Sequence, residues 1–438
     1  MRKSFSVLLA SAALLAALAG ARTEAQQATT APTFTRDVAP ILYKNCVSCH
    51  RPGEAAPMSL LTYEQARPYA RAIANAVTNR TMPPWHADAP AGTFHNERLL
   101  SDAERQLLNA WSTTGALQGD AKDLPPAPAF VEGWSLGTPD IVLEMAEEYR
   151  IPARGTIQYE WFYIPTNFTE PKWVKSIEIR PGNRAAVHHV LVYYRAKPDQ
   201  KTAPIARGNQ KDQSNPPPDE PGVSEHPQRS DLKGVPQRLV ATYAPGTNPQ
   251  VAPSGTAFRL EPGGIIELQM HYTTTGQAGA DRTRVGLTMS TEPSPREVRA
   301  QHFMNMGMRV PAGASDVAVS TDLEFLQDAT VWGIFPHTHL RGKRWAYTLE
   351  LPDGTKKVVL SVPKYDFNWQ TYYMFAEPLK VPKGARLLSS AWYDNSAANP
   401  SNPDPKVDVK WGDQTWEEMQ YTGLLITPVS PSVPPTVK

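Results

Sequence analysis

The sequence predicts a multidomain chain, a small all-α domain followed by two all-β sandwich domains. Three observations predict it. The apolar period changes from helical to alternating near residue 119. Proline supplies 43 of the 438 residues, about twice the usual share, which argues against a mainly helical chain. The alternating part consists of short runs separated by turn signals with no helices between them, and at roughly 300 residues it is too long for one sandwich.

Residues 1–25, MRKSFSVLLASAALLAALAGARTEA, read as a secretory signal peptide: Arg2 and Lys3 precede an apolar run from Val7 to Ala19, then small residues. The run is too short for a comfortable membrane span, and no later stretch replaces it. The expected product is periplasmic or secreted. Cleavage after Ala25 takes the formal charge from +1 to −1, which leaves no basic footprint for nucleic acid or anionic lipid.

Residues 33–118 carry three helical stretches. TRDVAPILYKN has Pro40 in its first turn. YEQARPYARAIANAV has helical period with Pro68 inside it. SDAERQLLNAWSTTG opens on the capping box Ser101/Glu104 and stops at Gly115. Residues 119–135 form a proline-rich linker. The β units are then 136–299 and 300–430, with strands such as AAVHHVLVYY, GIIELQMHY, ATVWGIF and ARLLSSAWY. Residues 197–236, polar and proline-rich, read as one long loop, and 431–438 as a disordered tail.

The only two cysteines lie in NCVSCH. Cys-x-x-Cys-His is the attachment motif of c-type haem: Cys46 and Cys49 would form the thioethers and His50 the proximal iron ligand. A thioredoxin-like dithiol would need a βαβ context, which is missing. Met82, in TMPPW, is the chosen sixth ligand, because a thioether raises the haem potential; Met58, His86 and His95 are the alternatives. Residues 33–118 therefore resemble a class I cytochrome c.

Five other histidines fall in three β runs: His188 and His189 in AVHHVLV, His271 in LQMHY, His337 and His339 in PHTHLRGK. Taken singly, each reads as a hydrogen-bonded or surface residue. His337 and His339 are two apart, so on a strand they leave the same face and form a chelate suited to copper or zinc. His188 and His189 are adjacent, so they can share an ion only if the strand bulges or ends there. His271 alternates with Glu267 and Gln269 and faces something polar.

The order HH, then HY, then HTHxxGK, then WGDQTWEEMQ with Met419 resembles the type II copper, ascorbate-dependent monooxygenases, the peptidylglycine and dopamine β-monooxygenase family, over about 136–430. The resemblance implies two jelly-roll-like domains facing each other across a solvent cleft. It implies one copper on His188, His189 and His271 and a second on His337, His339 and Met419. The Met-bearing copper would be the catalytic one, cutting a substrate C–H bond with O₂, and the three-histidine copper would deliver the second electron. A covalently attached haem upstream would bring in electrons from an external donor, an ascorbate-like reductant or a redox protein.

The chain departs from that family in places. It has no cysteines for the family's disulfides. Phe335 stands where peptide-amidating members carry an arginine, and Gly423 where they carry a tyrosine, so a glycine-extended peptide is a poor substrate. Phe335, Tyr421 and Trp332 point to a more aromatic pocket or to core packing. The alternative reading is a non-catalytic periplasmic electron-transfer or copper-handling protein. In that reading Met304, Met306 and Met308 of FMNMGM form a row on one strand face.

Overall fold

The computed structural model describes residues 31–130 except 53 and 55, then 133–196, 205–209, 237–244 and 249–429 except 294. The signal-peptide reading of 1–25, the tail 431–438, His226 and most of the 197–236 loop lie outside the described residues. Within that loop, Ala206–Gly208 is a strand, paired antiparallel with Val317–Phe325. Among the described residues no helix is long and apolar enough to cross a membrane.

The expected fold class, an all-α domain followed by two separate jelly-roll sandwiches, is overturned. The protein is mostly β, 40 % strand against 12 % helix, with four larger sheets in a four-bladed, propeller-like arrangement. Among the described residues the longest helix, Asp102–Thr113, has 12 residues. The helices pack around Phe34, Leu42, Leu108 and Trp111, but the stretch between Thr78 and Asp102 contains no helix and lies on the β body. Phe94 bridges Phe375, the Asp88 N–H donates to the Ser361 carbonyl, and the His95 N–H donates to the Met374 carbonyl. Trp85 and Phe94 belong to the large β core. They pack edge-on against Tyr373 with ring centroids 5.1 and 5.6 Å away, an arrangement favoured by the ring quadrupoles.

The two β halves are not independent sandwiches either. One apolar core runs from Met145 to Ile426, and Ala206–Gly208 adds an edge strand to a sheet otherwise built from residues beyond 316. Alternation along a strand reports which face is buried, but it does not report which sheet buries that face.

Two inner four-stranded sheets position the site. One has the order Glu160–Pro165, Ile265–Tyr272, Val187–Arg195, Gln237–Tyr243. The other has the order Arg299–Met304, Tyr421–Pro428, Ala329–His337, Tyr373–Val381. They meet where Arg299–Met304 touches Gln237–Tyr243. The central strands Val187–Arg195 and Tyr421–Pro428 are buried almost throughout, as strands covered on both faces must be. Val317–Phe325, in the five-stranded sheet, keeps the alternating pattern. FMNMGM is not a single strand: the strand ends at Met304 and a turn follows. Met308 is buried in the core, and Met304 and Met306 pack against it.

Candidate metal centre

His189 and His271 face each other across neighbouring antiparallel strands, but the next pair is Val187 with Tyr272. His188 is thus the extra residue of a β-bulge. A bulge re-aims one side chain, and here it turns two adjacent histidines to the same side. The His188 and His189 Nδ1 atoms lie 3.1 Å apart, and those of His271 and His189 3.4 Å apart. The ligand atoms of all three residues lie within 4.8 Å of one another. Two nitrogens each about 2.0 Å from one ion, at a near-tetrahedral angle, stand roughly 3.3 Å apart. The set therefore fits a transition ion.

His337 ends the strand Ala329–His337 and His339 lies just past it, yet their rings stay 5.2 Å apart, nearly perpendicular. Each Nδ1 faces an acceptor: Gln370 Oε1 at 2.7 Å for His337, and the Glu417 carbonyl at 3.2 Å for His339. Both Nδ1 atoms therefore carry the proton, and both Nε2 atoms keep a lone pair. His339 Nε2 is buried without a partner, which is the state of a ligand atom awaiting an ion. His337 pairs with Tyr421 across the sheet. Met419, two residues before Tyr421, is buried, and its backbone N–H and that of His339 both donate to Glu418 Oε2. A thioether joined to two imidazoles would suit Cu(I).

Burial lowers the pKa of all five histidines, to about 3 for His271, where His188 adds to the effect, and to about 4 for His337. They are neutral, ligand-ready imidazoles at neutral pH. The consequence for the metal-free chain has a definite sign. The unfolded chain takes up the His271 proton first, so this stability is whole above pH 6.5 and is lost as pH falls from there towards 3. At pH 4.5 the loss from His271 alone is roughly 3 kcal/mol. Urea unfolding of the metal-free protein at pH 7 and 4.5 checks this, and unchanged stability would contradict it.

The expected solvent cleft between the two sets is replaced by aromatic side chains. Phe367 stands 5.4 Å from His188, 5.9 Å from His189 and 5.9 Å from His339, centroid to centroid. Tyr159 stands 4.8 Å from His271 and 6.3 Å from His339. Phe335 stacks on His337, and Tyr421 meets that ring edge-on. Trp332 instead donates to Thr427. A Cβ on Gly423 would come within 3.1 Å of the Tyr372 hydroxyl, so Tyr372 stands where a side chain at 423 would go. His302 is half-buried and stacks on Tyr421.

The Cys-x-x-Cys-His turn follows the helix Ala39–Asn45, its Cys49 and His50 N–H groups donating to the Cys46 carbonyl. Cys46 and Cys49 are free thiols. His50 Nδ1 meets the Met58 carbonyl at 3.3 Å, which leaves Nε2 for an axial bond. A cavity of ≈ 670 Å³ opens beside them, in the size range of cofactor sites. Met82 and His95 line it, together with Cys46, Cys49, His50 and Arg98. Met58 packs instead against the helical core, and His86 lines neighbouring cavities. These residues fit a covalently held haem.

Sequence reasoning missed Tyr159, Phe367, Asn368, Gln370 and Glu418. Only Glu418 carried a visible signal, its place beside Met419 in the EEM string.

No protein-family model matches the chain, and no curated protein matches it. Solved structures that align with it include an allantoicase (10% identity, 56% of this chain and 81% of that one, TM-score 0.17). They also include the major capsid protein P2 of bacteriophage PM2 (9%, 66% and 99%, TM-score 0.24) and the VP2 subviral particle of infectious bursal disease virus (10%, 69% and 74%, TM-score 0.19). Scores this low carry no argument about fold or activity.

Proposed function

We propose that the chain is an exported copper-dependent monooxygenase that hydroxylates a C–H bond of a small substrate, its electrons entering through a c-type haem. The observation that carries the reading is the convergence of three Nδ1 atoms at 3.1 and 3.4 Å across a bulge. His188, His189 and His271 would hold one copper through Nδ1. His337 and His339, through Nε2, and Met419 would hold the other. Cys46, Cys49 and His50 would hold the haem, with Met82 as the sixth ligand. Bound copper supplies one-electron redox chemistry and O₂ activation. Per turnover, one O₂, two electrons and two protons convert R–H to R–OH and water.

The chain's own residues prepare the site. Gln370 Oε1 and the Glu417 carbonyl keep the protons on Nδ1 of His337 and His339, so both Nε2 atoms keep a lone pair. Burial excludes water and keeps all five imidazoles neutral. Phe335 and Tyr421 pack on His337 and Tyr372 packs on Phe335, which makes the surroundings of that ring apolar.

Copper stoichiometry with O₂ uptake tests the reading. The expected result is two coppers per chain with different spectroscopic signatures, and O₂ consumption once a reductant is present. Copper without O₂ consumption would favour copper handling, and no bound copper would leave an electron carrier.

A further inference from the structure

The haem cavity and the three-histidine cluster share a wall. Asn368, Trp369 and His188 itself line the cavity that the Cys-x-x-Cys-His turn opens into. His188 Nε2 lies 3.2 Å from Asn368 Oδ1. A carbonyl oxygen only accepts, so Nε2 carries the proton and Nδ1 is left bare towards His189. The Asn368 amide is itself oriented: its backbone N–H and its Nδ2 both donate to Asp366 Oδ1 at 2.9 Å, which leaves Oδ1 for His188. Phe367 stacks on the His188 ring at 24°. Gln370, two residues on, sets His337. The opposite side is tied as well. Glu54, just after the haem motif, accepts from Arg51 at 2.8 Å and from Arg184 at 2.6 Å. Arg184 lies in the turn that leads into the His188 strand.

Resting on the copper and haem assignment above, we propose that residues 366–370 form the coupling element of this protein, with Asn368 as the residue that positions His188 between the two centres. His188 would then be the ring between the two groups; with both bound, one electron would cross it, oxidising iron(II) to iron(III) on the cavity side and reducing copper(II) to copper(I) on the cluster side. No other described residue both lines that cavity and belongs to either histidine set. A ring held in one tautomer by a fixed acceptor keeps its ligand atom and its orientation together, and loss of such a partner typically costs 10–100-fold.

The test uses the oxidised, copper-loaded holoprotein, reduced anaerobically by a one-electron flash. Haem absorbance then reports how fast the electron leaves the haem, without turnover. Asn368→Leu removes the acceptor; the double exchange Asp366→Asn with Asn368→Asp keeps an acceptor for His188 and a donor between 366 and 368. The expected result is about tenfold or more slowing in Asn368→Leu, with two coppers and the haem spectrum retained, and a rate within about twofold of the parent in the double exchange. Equal rates in parent and Asn368→Leu, both fully loaded, would overturn the coupling role alone. A parent protein without haem or without copper would overturn the functional assignment and this inference together, and it would do so before any variant is made.

Discussion

Glu418→Ala is expected to cost roughly 3–5 kcal/mol of stability and to release the metal from the two-histidine site. Glu418 is fully buried and accepts backbone N–H groups from His339 at 2.8 Å, Arg341 at 2.6 Å and Met419 at 3.3 Å. One carboxyl group therefore joins the end of the His-x-His segment to the start of the methionine segment. Burial pushes it up to about 7 against the pull of those N–H groups and of the nearby Arg341 guanidinium. Arg341 is itself buried, held by Asn395 and the Trp416 carbonyl. Removing Glu418 leaves a buried cation with only the weaker of its two Coulombic partners, Asp404, and leaves backbone donors unsatisfied, a costly kind of polar deletion. Glu418→Gln keeps one accepting oxygen and should lose less. Urea unfolding with copper analysis checks both variants. A Glu418→Ala protein with the parent's midpoint and full copper would contradict the role.

His189→Ala should reduce copper from two ions per chain to one and lower turnover by at least about a hundredfold. Its Nδ1 is the atom that both other Nδ1 atoms approach, so both close nitrogen contacts of the set are lost with it. The remaining copper should keep the signature of the His337/His339/Met419 site, since Gln370 and Glu417, which set those rings, do not touch His189. Copper analysis and electron paramagnetic resonance on the variant distinguish this outcome from general unfolding. Retention of both coppers would contradict the three-histidine assignment.

Local features of the fold were legible in the sequence. Ser101 and Glu104 are three residues apart, and the capping box needs nothing beyond that turn. Adjacent histidines can share an ion only through a bulge, and His188 sits in one. The partition of the chain was not legible. Nothing in WHADAPAGTFHNE reports that Phe94 bridges Phe375, nor does the Ala206–Gly208 segment report its partner more than a hundred residues on. Such pairings depend on shape at long range, and the expected independent domains failed for that reason. The aromatic contact between the histidine sets was equally hidden. Phe367 and Tyr159 come from different sheet connections and show no spacing pattern with any histidine.

Anomalous diffraction at the copper edge from copper-loaded crystals tests the central claim most directly. The account predicts two peaks. One should lie about 2.0 Å from the Nδ1 atoms of His188, His189 and His271, and one should lie at the Nε2 atoms of His337 and His339 with the Met419 sulfur as third ligand. The absence of density among the three Nδ1 atoms, or a second peak away from His337 and His339, would contradict it.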